Sequence, residues 1–308
     1  MPSQTANLAL SSCPSRFGGQ VQTYLWQWQG HTIAIAYESL GDGEPVLLLP
    51  AFSTVSTRAE LHDLAIQLAT RFRVIALDWP GFGDSARLPL DYGPALYHQF
   101  LEDFVQASFT KPIAIAAAGH AAGYALRLAN SLPAACDRIA LIAPTWRGPL
   151  AVMGVPPTIR SGVKTLVRSP LAGQVLYGLN TRPAFLKWMY RRHVFVDETK
   201  LTPSYIHQRY QGTQQPGARY APAAFVTGSL DPAQTSEAFL SYFQDLAIPL
   251  MVVVAEQAPP SSKADMKAMA ALPQLQSAHL PGTLGMAEEY GNEVAAVILR
   301  FLQGIPAF

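Results

Sequence analysis

The chain alternates short continuous apolar runs with stretches in which apolar residues recur every three or four positions. "VQTYLWQWQG" and "HTIAIAYESLG" are β-rich and broken by Gly30, which predicts a hairpin. "PVLLLPAF" (45–52) is apolar throughout, as a strand buried on both faces requires. "FRVIALDWPGFGDS" is a second such run and ends in a Pro/Gly loop; "KPIAIAAAG" and "DRIALIAP" follow. Between them lie helical patterns: "TRAELHDLAIQLATR", "GPALYHQFLEDFVQASF" and "HAAGYALRLANSL". Thr57, three residues before Glu60, offers the first of these a capping box. This alternation predicts an α/β fold: a mostly parallel sheet with helices on both faces.

From Thr145 the rhythm breaks. Residues 148–219 mix short helical pieces with Pro, Gly and aromatics, as in "PAFLKWMYRRHVF". The alternation resumes with strand-like "YAPAAFVTG", the helix "DPAQTSEAFLSYFQDL" and the strand "PLMVVVAE". "SKADMKAMAAL", "LQSAHLPG" and "EEYGNEVAAVILRFL" then read as helix, strand and helix. The expected organisation is an α/β core over 20–147 and 220–308, an inserted helical cap over 148–219, and an irregular segment over 1–19.

Length, 308 residues, suits one large domain with an insertion, and 49% hydrophobic against 14% charged residues favours a sizeable core over disorder. The net charge of +1 argues against a dedicated nucleic-acid binder. That average conceals an asymmetry. Between Trp146 and Tyr220 stand eleven Lys/Arg and two acids, a net of +9, which leaves the remainder at −8. Interleaved with aromatics, these bases suit an amphiphilic ligand, an anionic membrane surface or an acidic protein; no nucleic-acid module is recognisable. Cys13 and Cys136 stand alone without metal-ligand spacing, so neither a disulfide framework nor a metal site is expected, and a reducing cytosol fits best. The N-terminus lacks a secretory pattern and no apolar run could cross a membrane. The expected location is cytoplasmic, at most peripheral to a membrane.

The stretch "IAAAGHAAGYAL" (115–126) has the rhythm of strand, sharp turn and helix. Gly119 and Gly123 stand where a nucleophile elbow carries its glycines, and Ala121 where it carries its serine. Together with "LLLPAF", "ALDWPGFGDS" and "LPGTLGMAEE", in this order, the stretch resembles the α/β-hydrolase superfamily. The second motif is similar to that family's D-x-P-G-x-G-x-S loop. "LLLPAFSTVSTRAE" and "HAAGYAL" resemble its cyanobacterial and plastid members, some of which act on lipophilic or pigment esters.

The resemblance implies a triad of nucleophile, orienting acid and histidine base, and each position is empty. Ala121 has no nucleophilic atom, and losing such a nucleophile costs about a million-fold in rate. A pattern like G-E-x-D-P, aligned on Pro259, puts Ala258 at the acid position, with Glu256 as a spare carboxylate. A pattern like P-G-x-G-H puts Leu284, Gly285 and Met286 where the histidine belongs, with Gly285 as the degenerate base position. His120 reads as a supporting group, His279 as a strand residue, and Asp231 as an N-cap before Pro232. Asp78 and Asp84 match the family's loop-stabilising positions.

What remains is a pocket. The N–H groups of Phe52 and Ala122 would point into it as an oxyanion site, with His120 beside it and Trp146 at its mouth. The expectation is a non-hydrolytic protein that needs no cofactor and binds a hydrophobic or amphiphilic small molecule. Alternatives are a cofactor-free lyase or isomerase using the oxyanion site with His120 as base, an esterase for lipophilic esters inactivated at Ala121, and a membrane- or protein-binding scaffold.

Overall fold

The computed structural model describes residues 13–305. Eight strands form one sheet: β1 (Gln20–Trp28), β2 (His31–Leu40), β3 (Pro45–Leu49), β4 (Arg73–Leu77), β5 (Ile113–Ala118), β6 (Cys136–Ile142), β7 (Leu250–Ala255) and β8 (Leu275–Leu280). Their spatial order is β1-β2-β4-β3-β5-β6-β7-β8. β1 and β2 make the antiparallel hairpin, turning at Gln29 and Gly30, both left-handed. β2 is also antiparallel to β4, and every pairing from β4 to β8 is parallel.

The continuous apolar runs follow from burial on both faces. In β3, Leu47 and Leu49 enter one hydrophobic core while Val46 and Leu48 enter the other. Ile115 and Ala117 of β5 alternate in the same way with Ala114 and Ala116.

A charged network lies inside this shell. Arg58, fully buried, contacts the carboxylates of Glu38 and Asp78 and reaches Asp84 at 2.9 Å. Glu38 also accepts from Ser15 Oγ and from the N–H groups of Arg16, Phe17 and Gly19, which ties the leading segment to β2. Burial alone would raise the Glu38 carboxyl, but these hydrogen bonds offset it and leave it below the ordinary carboxylate range.

Local expectations change in three places. The helix expected after Thr57 is a 3₁₀ turn, Arg58–Leu61, leading into His62–Leu68; Thr57 accepts from Ala59 N, so no capping box forms. "YAPAAFV" is not a strand but the helix Tyr220–Val226, whose Ala221, Pro222 and Ala224 are buried. The helix after Asp231 starts only at Ser236, with Thr235 as its N-cap, because Asp231 is engaged elsewhere. Between β6 and β7 the chain forms a series of short helices joined by loops, with small hydrophobic clusters of their own around Tyr190 and Tyr177.

Candidate functional site

β5 ends at Ala118, and the helix Ala121–Ser131 begins after two intervening residues. Only one residue of this turn is left-handed: Gly119, at φ +53°. His120 already has helical angles, and Ala121 is a helical, fully buried core residue. A nucleophile elbow places its reactive residue on the strained turn, with small residues two positions either side. The apex is therefore Gly119, flanked by Ala117 and Ala121, and not Ala121 flanked by two glycines. A serine at 121 would sit among buried core residues.

The apex has little room for a side chain. A Cβ on Gly119 would lie 2.9 Å from the Ala51 methyl and 3.7 Å from Thr145 Oγ1. Gly123 serves another close approach, to Pro232 and Phe239 where the chain returns from the insertion, rather than to a strand.

Of the two expected oxyanion donors, one is engaged within the turn itself. Ala122 N donates to Gly119 O at 3.2 Å within the turn. The Phe52 ring is stacked on Trp79 with centroids 4.8 Å apart and meets Tyr97 and Phe82 edge-on. Trp146 is not at a pocket mouth; it is buried in the core, stacked on Phe239, with the Arg147 guanidinium 4.6 Å from its ring.

The acid and base loops hold structure together. Ala258 is buried and donates its N–H to Ala255 O. Glu256 does have a histidine partner: Oε1 lies 2.6 Å from His279 Nδ1 and Oε2 2.6 Å from Lys263 Nζ. All three side chains are substantially exposed, and these hydrogen bonds, Lys263 first, hold the Glu256 carboxyl down to about 2. Gly285, at the base position, donates its N–H to Val194 O, and Thr283 Oγ1 donates to the same carbonyl. Leu284 is half-buried against the core. Nearby, Glu289 accepts from the N–H groups of Val196 and Asp197. The loop that would carry a histidine thus clamps the insertion at 194–197.

His120 sits in a chain that sequence spacing did not reveal. Its Nδ1 is 2.7 Å from Thr145 Oγ1, and its Nε2 is 3.4 Å from Asp231 Oδ1. Asp231 Oδ1 also accepts from Gly148 N at 2.7 Å, so its carboxylate links the segments where the chain leaves and re-enters the core. Phe225 meets the imidazole edge-on at 5.1 Å. Nδ1 is thus hydrogen-bonded, whereas Nε2 is buried without a hydrogen-bond partner.

A cavity of about 440 Å³ lies to one side, between the loops at 54–59 and 82–87 and the helix Pro203–Thr213. No elbow residue lines it. Its charged walls are mostly matched: Arg16 grips Asp84 with a bidentate pair, and buried Arg209 contacts Glu288 and lies 3.8 Å from Glu60. Arg87 differs, because its two Nη groups donate only to the carbonyls of Gly212 and Gly83. Its Nε and that of Arg209, with the Tyr205 hydroxyl, are buried without a hydrogen-bond partner. Among the described residues no cluster of His, Cys, Asp and Glu could hold a metal ion, and no helix is long and apolar enough to cross a membrane.

A family model described as "Alpha/beta hydrolase family" matches residues 46–297. The chain belongs to the α/β-hydrolase family. No curated protein sequence matches it. Among solved structures, the haloalkane dehalogenase DatA from Agrobacterium tumefaciens C58 superposes with a TM-score of 0.71 at 18% identity, covering 95% of this chain and 99% of that one. A thermophilic esterase from Thermogutta terrifontis gives 0.68 at 20% identity, covering 92% and 98%. A serine hydrolase involved in carbazole degradation gives 0.68 at 17%, covering 92% and 99%. At these identities the likeness concerns the α/β-hydrolase fold alone, which hosts many chemistries.

Proposed function

We propose that the chain is a non-hydrolytic α/β-hydrolase-family protein that holds a small amphiphilic molecule with an anionic group between core and cap. The carrying observation is Gly119 at the elbow apex with the Ala51 methyl over it. No nucleophilic atom stands at the apex, and the loops for acid and base are spent on packing. The cleft supplies what the elbow lacks. Arg87 is a guanidinium without a carboxylate partner, and such a group favours a carboxylate or phosphate. Val55 and Phe82 give the same cleft apolar surface. A cofactor-free lyase or isomerase with His120 as base is less well supported, since His120 does not line the cleft and its Nε2, though without a hydrogen-bond partner, is buried 3.4 Å from Asp231 Oδ1.

The test is exposure to a fluorophosphonate probe and to p-nitrophenyl butyrate. The expected result is no covalent adduct by intact mass and no hydrolysis above the buffer rate. Enzyme-like turnover abolished by Thr145→Val or His120→Ala would overturn the reading.

A further inference from the structure

The insertion's helices each bury one face. In Ala172–Asn180, Tyr177 packs with Val167; in Pro183–His193, Leu186 and Tyr190 pack with Phe195 and Ile206. The opposite faces of such helices are ordinarily polar. Here they are apolar as well. Leu171, Val175 and Leu179 recur every fourth position from the N-cap through the first helix, Leu171 84% and Val175 65% exposed. Phe185 and Trp188 continue on the next, with ring centroids 5.6 Å apart and Trp188 54% exposed. Leu166, in the last turn of the preceding helix Pro157–Arg168, is exposed too. Single exposed apolar residues are ordinary; six large ones within 166–188 are not.

Charge decides what covers them. Arg182, Lys187 and Arg192 are exposed in the same region, and their side chains have no hydrogen-bond or ion-pair partner among the described residues. Two other bases of the insertion are neutralised, Lys164 by Asp91 and Arg191 by Glu198. A second copy apposed through this face would bring like charges together, which disfavours self-association. Protruding aliphatic side chains, a tryptophan and unneutralised bases match instead the boundary of an anionic bilayer, where apolar groups enter the acyl edge and bases meet phosphate.

We infer that the outer face of the insertion, from Leu166 to Arg192, docks on an anionic lipid surface. The inference stands on this exposed face and not on the contents of the cleft.

The test is flotation of the full chain with phosphatidylcholine vesicles, with and without phosphatidylglycerol, at low and high salt. The protein is expected to float only with phosphatidylglycerol vesicles and to release as salt rises. Tryptophan emission should shift to the blue on binding, and Trp188→Phe should remove the shift. The triple change Leu171→Glu, Val175→Glu, Leu179→Glu should abolish flotation with an unchanged melting temperature, because these side chains face outward. Arg182→Gln, Lys187→Gln and Arg192→Gln together should weaken binding about a hundred-fold. No flotation at low salt, or flotation that neither triple variant alters, would overturn the inference. A solution dimer dissociated by the Leu171/Val175/Leu179 variant would assign the face to a second copy, and would overturn it equally.

Discussion

The turn after β5 and the cleft beside the helix Pro203–Thr213 are two parts of one fold under opposite physical regimes. The turn is dry. Gly119 lies under Ala51, Phe52 is walled by aromatic rings, and His120 is enclosed by Thr145, Asp231 and Phe225. The cleft is lined with charge, some of it unmatched, around about 440 Å³ of space. An elbow's shape persists for reasons of packing alone: the chain must still turn from strand into helix. Arg87, a guanidinium without a carboxylate partner among the described residues, has no such packing reason, and the proposed ligand site rests on it.

The largest expected effect breaks the cleft. Arg209 faces two carboxylates, and burial, only partly opposed by Arg209, already pushes the Glu60 carboxyl well above its ordinary range. Arg209→Met should cost about 3–5 kcal/mol in urea denaturation, because Glu288 and Glu60 lose the cation they share. Hydrogen exchange should show the insertion opening before the sheet.

Next comes the turn. Gly119→Ser places a side chain at left-handed φ within 2.9 Å of Ala51. It should destabilise by about 1–3 kcal/mol in thermal melts and gain no esterase activity. Recovery of hydrolysis by this one change would collapse the distinction between the two regions.

The dry region should also carry a pH signature. Burial, assisted by nearby Arg127, pushes the His98 imidazole, packed on Tyr124 of the elbow helix, down to about 3. Unfolded, it titrates near its ordinary value of about 6.5, so the unfolded chain binds the extra proton between those limits. Stability should therefore fall as pH drops through that window, by about 1.4 kcal/mol per unit from this group. His98→Leu should flatten the slope.

The smallest effect on stability sharpens the comparison most. Arg87→Met should change the melting temperature little, yet native mass spectrometry should lose any anionic molecule that co-purifies with the unaltered chain.

The sequence by itself determined the strand–helix alternation, the hairpin at Gly30, the family, and the charge division between insertion and body. Each is local, because apolar period and turn residues need no distant partner. The elbow's register was beyond the sequence. "AAAGHAAG" fits the small-x-nucleophile-x-small pattern with Ala121 or with Gly119 at the centre, and only the backbone angle chooses between them. Glu60 read as half of a capping box and Asp231 as an N-cap, because their partners, Arg209 and His120, lie over a hundred residues away in sequence. The insertion's two apolar faces look alike along the chain; tertiary packing decides which is buried around Tyr177 and Tyr190 and which, from Leu171 to Trp188, is left to water.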